Sequence, residues 1–172
     1  MFCNDFGLIN PEGPCKSGYY CSRGSRTPTE VICPAGKKCL AGAGNYTNCD
    51  PGSYTLIPGQ SNCEICPAGA YCDPDEVVIN EIEWEKAITY KPCPVAHYCP
   101  EGTRSIGDAK PCPVGTYSEQ SFLGEDISLK TFGLKKAIEC TPCPPGYFCP
   151  SPATTQPEKC GDGYYCQSAA RR

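Results

Sequence analysis

Aliphatic side chains are sparse along this chain, and what recurs in their place is an aromatic set between a glycine and a cysteine. The stretches CKSGYYC, CPAGKKC, CPAGAYC, CPVAHYC, CPPGYFC and CGDGYYC are near-copies of one heptad. Aligned on their first cysteines, eight units begin at Cys15, Cys33, Cys49, Cys66, Cys93, Cys112, Cys143 and Cys160. Most steps are 16 to 19 residues, with two expansions to 27 and 31. Position +3 after the first cysteine is glycine in seven units, with Ala96 the exception. Position +5 is Tyr or Phe in seven, with Lys38 the exception. A fixed period of this kind marks a repeat architecture.

Each consensus position has a physical role. Proline fixes φ and glycine allows a positive φ, so Pro-x-Gly drives a tight turn. The aromatic at +5 can cover a disulfide in a unit too small to bury much else. The expected fold is small, disulfide-rich and mostly irregular or β, with little helix. It is an elongated tandem array of disulfide-stapled β-turn or hairpin units of about 17 residues. The divisions are 1–14, the tail of a truncated upstream repeat; 15–32; 33–48; 49–65; 66–92 with an insertion; 93–111; 112–142 with an insertion; 143–159; and 160–172.

Apolar residues gather only in the two expansions. In DPDEVVINEIEWEKAITYKP, residues 73–92, the positions Ile82, Trp84, Ile88 and Tyr90 share one parity, broken by Lys86. That alternation predicts a strand or hairpin, while a short helix after Asp73-Pro74 is the alternative. The second insertion, about residues 119–139, carries Phe122, Leu123, Ile127, Leu129, Phe132 and Leu134. Each insertion is either a contact site, with Trp84, Ile82, Ile88 and Tyr90 as the candidate interface, or a local lid over its own repeat.

Composition sharpens the class. The 172 residues include 17 Cys, 19 Pro and 18 Gly, and cysteine at that density marks a disulfide scaffold. It implies an oxidising compartment, so the expected location is extracellular or the cell surface. Six units carry cysteine at +6: Cys21, Cys39, Cys72, Cys99, Cys149 and Cys166. The other two carry Thr55 and Ser118 there, and these two have an extra cysteine downstream, Cys63 and Cys140. The simplest pairing is one disulfide per unit: 15–21, 33–39, 49–63, 66–72, 93–99, 112–140, 143–149 and 160–166. The rival links each second cysteine to the next unit's first and requires short Cys63–Cys66 and Cys140–Cys143 loops. Spacing alone does not decide connectivity. Cys3 is left over, either as position +6 of an earlier repeat or as an unpaired or intermolecular thiol.

The remaining chemistry is thin. Net charge is -4, which gives no basic footprint for nucleic acid. No apolar run is long enough to span a membrane, so no direct membrane insertion is expected. The two CxxC spacings are explained by the repeat without zinc. His97 is the lone histidine and occupies a variable heptad position, so no catalytic group, metal or cofactor is assigned. Asn45-Tyr46-Thr47 is an N-glycosylation sequon, and SPATTQP, with Thr154 and Thr155, is the kind of stretch that carries O-glycans.

CDPGSYTLIPGQSNCEICPAGAYC and CPVGTYSEQ…GLKKAIECTPCPPGYFCP resemble ephrin-receptor-type cysteine-rich repeats, related in style to growth-factor-receptor and TNF-receptor modules. The resemblance covers essentially the whole chain and implies a repeat class found in stalks, spacers and binding rods. Ala96, Lys38 and the insertions depart from it. The functional expectation is a structural, glycosylated extracellular segment, a subunit or stalk of a surface filament, coat or appendage that self-assembles through repeat and insertion contacts. The alternative is a receptor ectodomain stalk or ligand-binding rod. A compact secreted toxin or inhibitor fits the regular array less well.

Overall fold

The computed structural model describes residues 12–74, 90–118 and 133–167. They form a disulfide-stapled array of antiparallel hairpins. In chain order, β1 (Tyr19–Tyr20) pairs with β2 (Val31–Ile32), and β3 (Lys37–Lys38) with β4 (Thr47–Asn48). Next, β5 (Ser53–Tyr54) pairs with β6 (Glu64–Ile65), and β7 (Ala70–Tyr71) with β8 (Lys91–Pro92). Last, β9 (His97–Tyr98) pairs with β10 (Lys110–Pro111), β11 (Thr116–Tyr117) with β12 (Thr141–Pro142), and β13 (Tyr147–Phe148) with β14 (Glu158–Lys159). Among the described residues there is no α-helix, and short 3₁₀ turns stand at Ile106–Asp108 and Ala137–Glu139.

Every repeat is built the same way. The N–H at +4 donates to the carbonyl at +1, from Tyr19 to Lys16 through to Tyr164 to Gly161. The residue at +3 sits at positive φ, which is the geometry of a type II turn. Ala96 keeps that turn at φ 58°, although a left-handed conformation costs a non-glycine residue about 1–2 kcal/mol. In the first seven repeats the first strand, +4 and +5, then pairs with the two residues before the next repeat's first cysteine. That cysteine's N–H closes the hairpin on the +3 carbonyl, as in Cys33 to Gly18 (2.9 Å) and Cys112 to Ala96 (2.8 Å).

The core is sulfur. The largest fully buried side chains among the described residues are all cysteines, ten of them. Seven disulfides join Cys15–Cys21, Cys33–Cys39, Cys49–Cys63, Cys93–Cys99, Cys112–Cys140, Cys143–Cys149 and Cys160–Cys166. Their Cα–Cα distances run from 5.7 to 6.2 Å, within the range natural disulfides span. Cys66 and Cys72, the remaining two of these sixteen, are disulfide-bonded as well.

The chain divides into two compact units. The first, Met1–Ile65 with Cys72–Tyr90, holds the first three hairpins. The second, Cys66–Tyr71 with Lys91–Arg172, holds the other four.

Candidate functional site: the junction between repeats

Within each unit, consecutive repeats are joined by a fixed set of main-chain hydrogen bonds. First, the +3 N–H of one repeat donates to the +6 carbonyl of the next. In the first unit these bonds run from Gly18 to Cys39 (2.9 Å), Gly36 to Thr55 (3.2 Å) and Gly52 to Cys72 (3.0 Å). In the second they run from Gly69 to Cys99 (2.8 Å), Gly115 to Cys149 (3.1 Å) and Gly146 to Cys166 (3.0 Å). Second, the +6 N–H donates to a carbonyl in the next repeat's loop: Cys21 to Ala43, Cys39 to Gln60, Cys99 to Leu134 and Ser118 to Thr154. Third, the loop residue just before that carbonyl returns its N–H to the first cysteine's carbonyl: Gly42 to Cys15, Gly59 to Cys33 and Ala153 to Cys112. Gly102 does the same to Cys66. These donors all stand at positive φ, including Ala153 at 56°. Buried main-chain groups require partners, and the junction supplies them chiefly from main chain, with the Thr55 hydroxyl also accepting the Gly36 N–H (2.8 Å).

Side chains then seal the clasp. The ring of Tyr20, at +5 of the first repeat, meets Tyr46 edge-on at 5.7 Å. Tyr54, at +5 of the third, meets Tyr90 in the same way at 5.5 Å. Tyr46 and Tyr90 both lie three residues before a repeat's first cysteine, so one position serves both contacts. Tyr98 packs instead on Leu134, Cys112 and Cys140. Leu134 lies near the end of the second insertion. With Gly133, beside Cys93, it brings that insertion back into the register of the junction.

The electrostatics are local. Lys38 replaces the aromatic at +5, and its Nζ lies 2.7 Å from Asp50 Oδ2. The hydrogen bond from Lys38, and then its charge, hold the Asp50 carboxyl below its usual range. Glu30 is lowered chiefly by the backbone N–H groups of Arg26 and Thr27, each 3.1 Å from Oε2. Burial, and next the charge of Glu64, push the Tyr54 phenol up.

The residues singled out from sequence fall in different places. Asn45 is exposed; its Oδ1 accepts the Tyr46 N–H (2.9 Å), and its Nδ2 has no partner among the described residues. Thr47 lies in β4 with its hydroxyl donating to the Lys38 carbonyl (3.1 Å). Thr154 does not fit the role of glycan acceptor. It is buried, its hydroxyl donates to the Ser151 carbonyl (2.7 Å), and its own carbonyl takes the Ser118 N–H. Thr155, next to it, is exposed. Tyr90 is half-buried, with its ring against Tyr54 of the preceding repeat. Cys3, Ile82, Trp84 and Ile88 lie outside the described residues. The same holds for Phe122, Leu123, Ile127, Leu129 and Phe132. Half-buried His97 turns Nδ1 toward the Val95 carbonyl (2.9 Å). Among the described residues no three His, Cys, Asp or Glu side chains converge as a metal site, and no helix is long and apolar enough to cross a membrane.

The loop donors of the junction were not singled out from sequence. Their signal was a second glycine nine or ten residues after the first cysteine, visible at Gly24, Gly42, Gly59 and Gly102. Compared with known proteins, the chain matches no protein-family model and no curated sequence.

Proposed function

We propose that this chain is a structural segment of a glycosylated extracellular filament, coat or appendage. The observation that carries the reading is the junction. One set of main-chain bonds recurs between successive repeats whose side chains differ. A surface built from such contacts is suited to repetition and mechanical persistence. Sixteen oxidised cysteines suit an oxidising exterior. Exposed Asn45 and Thr155 are the candidate glycan acceptors on this reading. The likeness to ephrin-receptor-type repeats belongs to the same proposal, which gives the chain no catalytic step.

Electron microscopy of the native, unreduced protein tests it. Continuous filaments with an axial repeat are the expected result. Isolated particles at every concentration would overturn the filament reading in favour of a receptor-type stalk.

A further inference from the structure

The three residues of the sequon are each engaged in the folded chain. Thr47 lies in β4, opposite Lys38, and its hydroxyl donates to the Lys38 carbonyl at 3.1 Å. Tyr46 sets its ring edge-on against Tyr20 at 5.7 Å, with Lys37 Nζ 5.9 Å from the ring centroid. The Asn45 carboxamide turns Oδ1 onto the Tyr46 N–H at 2.9 Å. Just before them, the Gly42 N–H donates to the Cys15 carbonyl at 2.8 Å, and the Ala43 carbonyl accepts the Cys21 N–H at 3.0 Å. A sequon requires a hydroxyl two residues after the asparagine, so the transferase that reads it must reach that hydroxyl. Here the hydroxyl is bonded to the partner strand.

Cys15, Tyr20, Cys21, Lys37 and Lys38 all precede the sequon in the chain. Synthesis runs from the N-terminus, so the strand and the repeat that receive residues 42–48 already exist when that segment is made. A lone two-stranded hairpin is marginal in water, so lasting closure waits on the staples Cys15–Cys21 and Cys33–Cys39. A hairpin closes in about 1–10 μs, whereas a disulfide forms in seconds or longer. Oxidation of the first two repeats therefore sets how long the sequon stays open.

We propose that glycosylation of Asn45 competes with closure of the second repeat, so that the rate at which these two staples oxidise decides what fraction of chains carries the glycan. In the transfer, Asn45 Nδ2 displaces the lipid diphosphate from the anomeric carbon of a lipid-linked oligosaccharide. A C–N bond replaces a C–O bond, and the nitrogen gives up one proton. Asn45 is exposed, so chains with and without the glycan reach the same fold. The inference rests on the glycosylated part of the proposed function and is independent of assembly.

Two measurements on the full chain test it. In the first, native oxidised chain without glycan, and chain reduced and alkylated, are each offered an oligosaccharyltransferase and a lipid-linked oligosaccharide. Modified Asn45 is quantified by mass spectrometry. The reduced chain is expected to be modified at least about tenfold faster, because the native one must first open locally. In the second, occupancy at Asn45 is measured on chain made in secreting cells, with and without a low concentration of dithiothreitol during synthesis. Partial occupancy is expected, rising when dithiothreitol slows the staples. Native and reduced chains modified at equal rates would overturn the competition and leave the glycan standing. So would full occupancy without dithiothreitol, or partial occupancy that dithiothreitol does not raise. A reduced chain that takes no glycan would overturn the glycosylated reading with it.

Discussion

The second and third repeats are neighbours in one unit and lock the same turn in different ways. The second uses Cys33–Cys39, six residues apart, which encloses the turn and β3 and leaves the loop to β4 outside it. The third puts Thr55 where Cys39 stands and moves its staple to Cys49–Cys63, fourteen apart, which encloses β5 and ends just before β6. Yet the main chain at +6 is held alike in both. The Gly18 N–H reaches the Cys39 carbonyl, and the Gly36 N–H reaches the Thr55 carbonyl. The Thr55 hydroxyl also accepts from Gly36 N–H, at 2.8 Å. The position is therefore set by the neighbouring repeat, and the disulfide is free to move. The sixth repeat repeats the exchange, with Ser118 at +6 and a staple between Cys112 and Cys140, twenty-eight apart.

Removing the staples should show the largest contrast. In the chain-entropy account the third repeat's loop contributes about 3 kcal/mol and the second repeat's about 2.4 kcal/mol. The footprint separates them more than the size. Cys49→Ser/Cys63→Ser should speed amide exchange across the whole of β5 and β6. Cys33→Ser/Cys39→Ser should speed it in the turn and β3, while β4 and the loop before it keep most of their protection. A repeat array need not unfold in one step, so local hydrogen exchange is the proper readout. Equal footprints in the two variants would erase the distinction drawn here.

A smaller effect isolates the hydroxyl. Thr55→Val keeps the shape but removes one acceptor from a buried N–H that retains a weaker bond to the Thr55 carbonyl at 3.2 Å. The expected cost is about 1 kcal/mol, read as faster exchange of the Gly36 amide, with Thr55→Ser close to wild type. If Val and Ser behave alike, the hydroxyl contributes nothing and the carbonyl alone holds the junction.

The staples were legible in sequence because covalent chemistry leaves a coupled signature. Where Thr55 and Ser118 displace a cysteine, Cys63 and Cys140 appear downstream. The turn was legible for a similar reason, since few residues accept positive φ at +3. The junction was not, because its bonds are main-chain to main-chain and its loop donor varies in identity, from Gly42 to Ala153, and in distance from the cysteine. Thr154 shows how this misleads. Its hydroxyl read as a glycan acceptor, but it closes a turn on Ser151, as Ser25 does on Ser22 and Thr103 on Pro100. Tyr46 was likewise counted only as the middle of a sequon, although its ring packs on Tyr20.

The smallest expected difference between the two repeats is their response to pH, and it has opposite signs. Asp50, at the start of the third repeat, is lowered by Lys38 in β3 of the second. Its contribution is present above the ordinary aspartate range and lost as pH falls through the lowered value. In the third repeat Tyr54 is raised by burial and by Glu64. Its contribution is present below the ordinary tyrosine value, about 10, and lost as pH rises toward the raised one. Acid should therefore loosen β3 and β4 first, and alkali β5 and β6. The acid effect should be slight and weaken further with salt, because the Lys38–Asp50 pair is open to solvent on the Asp50 side. Exchange at the Thr47 and Asn48 amides, followed across pH at low and high salt, reads it. Lys38→Tyr restores the aromatic that other repeats carry at +5 and should abolish the acid response while leaving the alkaline one in place. If the acid loosening survives that substitution, the Lys38–Asp50 pair is not what distinguishes the second repeat from the third.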